Sequence, residues 1–70
     1  MKFWEAMKLI DEGKKVTRIA WNESVVYYAF LDKYSMGGVS VVSLKLKDGR
    51  NIDFSPIWYD MTSNDWIEVK

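Results

Sequence analysis

The sequence predicts an α+β domain, with one N-terminal helix packed on a mostly antiparallel four- to five-stranded sheet. Three observations carry this. Apolar residues repeat at helical spacing over residues 3–12, the period drops to two from Val16 onward, and Asp48-Gly49 marks a tight hairpin between two alternating segments. At 70 residues the chain, 1–70, holds a single domain.

The helix comes first. Phe3, Met7 and Ile10 recur at i, i+4 and i+7, and Ala6 and Leu9 widen the stripe. Gly13 is placed to end the helix in the left-handed conformation, with Lys14 and Lys15 near the negative end of its dipole. Trp4 sits beside the stripe, facing the core or a neighbouring subunit. Residues 16–19 then read as a short strand leading into Ala20-Trp21, and Asn22-Glu23-Ser24 as a polar turn. The β-branched and aromatic run 25–31 is the second strand, 32–38 a loop, and 39–46 the third strand. Lys47-Asp48-Gly49-Arg50 carries the signal of a two-residue type I′ turn into a fourth strand at 51–54. Ser55-Pro56 ends that strand, because proline has no N–H for the ladder. Within 57–65, Asp60 or Thr62 is placed to cap a single helical turn, and 66–69 alternates again as a closing strand.

Composition excludes several classes of function. Ten Lys+Arg balance ten Asp+Glu, and the cations are interleaved with acids apart from Lys14, Lys15 and Arg18, so no nucleic-acid partner is expected. No apolar run approaches the ~18 residues of a membrane span, and no secretory leader is apparent, which points to the cytoplasm and to no membrane partner. Cysteine and histidine are both absent. No disulfide and no thiolate metal site is possible, and the commonest neutral-pH base is missing. No cofactor or metal is therefore expected. Burial of apolar surface contributes about 105 kcal/mol, and ordering 70 residues costs about the same. A domain this marginal calls for oligomerisation, as a dimer or tetramer, or for a dense core of its four Trp, four Tyr and three Phe.

Catalysis is not expected, and no catalytic residue is assigned. No base stands ready for a Ser or Thr nucleophile, and Gly37-Gly38 leads into a strand rather than a phosphate-cradling helix. Asp60 and Asp65, with Asp53, offer a carboxylate pair for acid–base work or Mg²⁺, but turn capping explains them as well. Ligand binding has better material. Trp21-Asn22 and Asp65-Trp66 each place an indole beside a short polar side chain at a strand junction, suited to stacking on a base while the polar group binds ring nitrogens or hydroxyls. Arg18 and Arg50 offer a bidentate grip for phosphate. Core packing is the competing role for both tryptophans.

The opening Phe3-x-Glu5-Ala6, then Leu9-Ile10, Gly13-Lys14-Lys15-Val16, Arg18 and Trp21-Asn22, resembles the start of the second Thoeris anti-defence family, small phage and prophage proteins. The ending, Lys47-Asp48-Gly49-Arg50 followed by Asp60-Met61, Asp65-Trp66 and Val69, is similar to the family's closing pattern. The resemblance implies a non-catalytic sponge for cyclic ADP-ribose-type immune signals or other cyclic nucleotides, assembled as an oligomer with ligand pockets at subunit junctions. It implies the cytoplasm of the host cell as the place of action. Carried onto this chain, it gives Trp21 for base stacking, Asn22 and Asp65 for polar contacts, Arg18 for phosphate and Trp66 as pocket wall. The chain departs from the pattern at Glu23-Ser24, where relatives tend to carry Gly-Lys, at Phe54, where Trp is common, and at Ile57-Trp58. Two rival classes stand beside the sponge. One is a protein-interaction module docking on a host defence protein through Tyr27, Tyr28, Tyr34 or Trp58. The other is a structural or regulatory protein without a ligand.

Overall fold

A computed structural model of the chain describes residues 1–33, 38 and 40–70. Helix α1 (Phe3–Asp11) is followed by strand β1 (Lys15–Arg18), a 3-10 turn (Ile19–Trp21), and strands β2 (Val26–Asp32), β3 (Val41–Leu46) and β4 (Asn51–Asp53). A one-turn helix α2 (Trp58–Thr62) and strand β5 (Trp66–Val69) complete it. The five strands form one antiparallel sheet in the order β4-β3-β2-β1-β5, at the upper end of the expected strand count. Tyr34 and the expected strand start at Val39 lie outside the described residues. Among the described residues no helix is long and apolar enough to cross a membrane.

Helix α1 forms where its stripe predicts. Its first turn is closed by the Glu5 carboxylate, which accepts the Lys2 N–H at 2.9 Å. Gly13 ends it at φ +86°, donating to the Ile10 carbonyl while Lys14 N–H reaches Leu9. Ala6 and Ile10 face inward, and α1 lies against β1, β2, β5 and α2. The core comprises Ala6, Ile10, Val16, Ala29, Leu44 and Trp66. Because two of these are alanines, much of the core volume is carried by Trp66, whose ring meets Phe3, Trp21 and Phe54 at centroid distances of 5.7, 5.1 and 6.2 Å. Trp4 is 64% exposed in the chain, so it has no core role.

The structure corrects or refines the sequence reading at three points. The hairpin is not type I′. Lys45 pairs with Asn51, Leu46 N–H donates to the Arg50 carbonyl, and Gly49 alone takes a positive φ, +95°. This is the three-residue loop with glycine in the left-handed position, which shares the Asp-Gly signal with type I′ but leaves Asp48 at negative φ. In α2, the Asp60 carboxylate accepts the Ile57 N–H from inside the first turn, whereas Thr62 donates its hydroxyl back to the Trp58 carbonyl and caps nothing. The third difference is a register shift between Val26 and Tyr28, where β2 bulges away from β3 and turns Tyr27 outward, 53% exposed.

Candidate ligand-binding groove

Strand β1 stops at Arg18 because Asp65 captures the next two N–H groups. The Ile19 N–H donates to the Asp65 carbonyl at 3.0 Å and the Ala20 N–H to its carboxylate at 2.9 Å, so the backbone bends into the 3-10 turn instead of continuing along β5. The other carboxylate oxygen of Asp65 accepts Arg18 Nε at 2.9 Å. Arg18 Nη1 donates to Asp60 at 2.9 Å, and Nη2 to the Ser63 hydroxyl at 2.6 Å. One guanidinium thus ties β1 to α2 and to the residue just before β5.

This cluster is mostly shielded at Arg18 and Asp60 and more open at Asp65, whose side chain is 27% exposed. The Arg18 and Asp60 side chains are only 11% and 10% exposed. Burial works to raise the Asp65 carboxyl, but the hydrogen bonds from Arg18 and from the Ala20 N–H outweigh it and hold the group below the usual carboxylate range. Burial likewise works to lower Arg18, and its bonds to Asp65 and Asp60 prevail and raise it. Removing one partner of such a buried pair costs about 3–5 kcal/mol, because it strands the opposite charge. Arg18 is therefore a strut rather than an open phosphate grip.

Beside this cluster lies a groove of about 430 Å³, lined by Thr17, Arg18, Ile19, Trp21, Asn22, Val26, Tyr27, Lys47 and Ile67. Trp21 is half-buried, its ring packed edge-on against Phe54 at 6.0 Å as well as against Trp66. The turn after it is fixed by Ser24, whose hydroxyl donates to the Trp21 carbonyl and accepts the Val26 N–H. Lys47 closes the groove from the hairpin. Its backbone N–H donates to the Val25 carbonyl at 2.8 Å and its ammonium to the Asn22 carbonyl at 2.7 Å.

The structure brings three of the five expected site residues, Arg18, Trp21 and Asn22, to this groove. Asp65 sits behind it, spent on the 3-10 turn and on Arg18. Trp66 is wholly buried, and its Nε1–H donates to the Asp60 carbonyl at 2.9 Å. The wall expected of Trp66 is in fact the backing of Trp21. Arg50 is an exposed hairpin cation paired with Asp48 at 2.7 Å and does not line the groove. Asp60 and Asp65 do converge, but on Arg18, while Asp53 lies in β4 at the opposite edge of the sheet from β5. Among the described residues no cluster of three His, Cys, Asp or Glu side chains is placed to hold a metal ion. Lys47 and Tyr27 are groove residues that sequence reasoning missed as such. The one available signal for Lys47 was its place at the head of the Asp-Gly hairpin, beside the turn that carries Asn22.

Fold and groove together define a small α+β domain in which one helix covers the β5-β1-β2 end of a five-stranded sheet and an aromatic, amide-bearing groove opens beside it. Residues 1–69 match the Thoeris anti-defense 2-like (Tad2-like) domain, and the chain belongs to that family. No curated protein matches the chain.

Proposed function

We propose that the protein serves Thoeris anti-defence as a non-catalytic sponge, binding a cyclic ADP-ribose-type or other cyclic nucleotide signal in the cytoplasm of the host cell. The observation that carries this reading is the placement of Trp21 and Asn22 side by side on a groove of about 430 Å³ within a Tad2-like domain. That volume falls in the range of small-molecule sites, roughly 300–1,000 Å³. Trp21 offers a ring held rigid from behind, and Asn22 an exposed amide at its edge. Calorimetric titration with ADP-ribose and a panel of cyclic nucleotides tests the reading, with tryptophan emission recorded in parallel. At least one ligand should bind, quench emission and be recovered unchanged after heat denaturation. Multiple-turnover cleavage would make the protein a hydrolase, and no binding across the panel would remove the sponge.

Assembly belongs to the same proposal. The chain exposes 5002 Å², more than the roughly 4,500 Å² expected of a compact protein of its mass. Trp4, Trp58 and Tyr59 are 64%, 71% and 72% exposed. Sedimentation at micromolar concentration should show a dimer or tetramer, and a stable 8.2 kDa monomer throughout would refute assembly. The same exposed rings favour the second reading, docking on a host defence protein, which gains if the chain is monomeric and binds no nucleotide.

A further inference from the structure

Two long cations face the groove, and their surroundings differ in sign. Arg18 lies between Asp60 and Asp65 at 2.9 Å from each, so the three groups together carry a single negative charge. Each of its three nitrogens already donates to a partner in the chain. An anion approaching Arg18 meets two carboxylates first. Lys47 is the reverse case. Its ammonium donates to a neutral carbonyl, that of Asn22, and among the described residues no carboxylate stands within ion-pair distance of it. An ammonium has three donors. One is used on Asn22, which leaves two donors and an uncompensated charge at the groove that Lys47 lines.

Its backbone is fixed beside the groove. The Lys47 N–H is bonded to Val25 at the start of β2, so the head of the hairpin is pinned beside the turn carrying Asn22. The side chain therefore starts from a fixed Cα, and an anion binding there accepts from the two remaining donors in charge-assisted hydrogen bonds, the stronger kind.

We propose that Lys47 is the anion-contacting group of the groove, that Arg18 is not, and that the site takes a phosphate-bearing ligand with its phosphate beside Asn22 and a flat ring against Trp21. The assignment rests on the groove being the ligand site, as argued under the proposed function, but its test does not require a nucleotide.

Inorganic pyrophosphate is titrated into the ¹⁵N-labelled protein and followed by amide and indole resonances. The amides of Asn22 and Lys47 and the indole N–H of Trp21 should shift saturably. Lys47→Gln should weaken the response about tenfold or more, the equivalent of one charge-assisted hydrogen bond. Lys47→Arg, which keeps the charge, should retain most of the response, and Lys14→Gln, ahead of β1 and outside the groove lining, should leave it unchanged. Preserved spectral dispersion in Lys47→Gln shows that the loss is not unfolding. An unchanged response in that variant, or no saturable shift in the wild type, overturns the assignment. The two readings fail separately. Lys47-dependent pyrophosphate binding without nucleotide binding upholds Lys47 and removes the nucleotide, whereas nucleotide binding unaltered by Lys47→Gln removes Lys47 and leaves the sponge.

Discussion

Beneath the 3-10 turn, Arg18, Asp60, Asp65 and Ser63 interlock in a partly buried cluster, and Trp66 closes the space behind them. At the rim of the same groove, Lys47, Asn22 and Tyr27 are exposed and are held by a few bonds to backbone carbonyls. The inner region is polar yet saturated, so its charges hold the fold and have nothing left to offer a ligand. The rim leaves donors and ring faces open. A cation's value to a binding site depends on what already surrounds it, and Arg18 and Lys47, two cations on one groove, show opposite outcomes.

The sharpest way to break this comparison is to remove the two cations in turn. Arg18→Leu should cost about 3–5 kcal/mol, because it leaves Asp60 and Asp65 facing each other unpaired. In a domain of this size each kcal/mol moves the melting temperature by about 4–8 °C, so the variant should be largely unfolded at 37 °C by circular dichroism. Lys47→Gln should melt within about 0.5 kcal/mol of the wild type. Equal destabilisation by the two would dissolve the distinction.

Trp21 stands on the boundary between the regions, and its substitution should show both characters. Trp21→Ala forfeits the edge-on contacts with Trp66 and Phe54 and also the ring facing the groove. Ligand affinity should fall by about 1–3 kcal/mol, the usual worth of one stacked base, while the melting temperature also drops measurably. A variant that keeps full affinity after losing stability would place Trp21 wholly with the core.

A smaller and graded effect comes from acid. The Asp65 carboxyl is held below its usual value in the folded chain, so it adds stability above the unfolded value, about 3.9, and that contribution is lost as pH falls through the folded value. Thermal stability should therefore decline as pH is lowered from about 5 toward 2. Asp65→Asn should be less stable at neutral pH and should show a shallower slope in that window. Asp48, held low by the Arg50 backbone N–H and side chain on the exposed hairpin, titrates in the same direction, so Asp48→Asn is the necessary control. A slope unaltered in Asp65→Asn but abolished in Asp48→Asn would move the acid sensitivity to the β3–β4 hairpin.

Much of the fold was legible because its determinants are local. The 3–4 spacing of Phe3, Ala6, Met7 and Ile10 and the position of Gly13 specify α1 without reference to the rest of the chain. The bulge between Val26 and Tyr28 was not legible, since 25–31 is apolar throughout and a slip of one residue leaves no mark in a pattern that does not alternate. The site divides in the same way. Trp21-Asn22 announces itself as an indole and an amide at a strand end. The engagement of Arg18 by Asp65 spans 47 positions and exists only once β1 and β5 are in register, so no window of sequence contains it. Trp66 reads as a pocket residue beside Asp65 because sequence adjacency cannot tell which of two neighbours points inward.

The sheet order has a further consequence for how the chain acquires its shape. Strands β2, β3 and β4 form a meander of near neighbours, but β1 pairs with β5, and the Ala20–Asp65 bond at the end of that seam spans 45 positions. Closing so long a loop must precede the reward for closing it, which makes the seam the slow step in refolding. Substitutions in the β3–β4 hairpin, already formed when the seam closes, should therefore act mainly on the rate of refolding, as should substitutions of seam contacts made in that step.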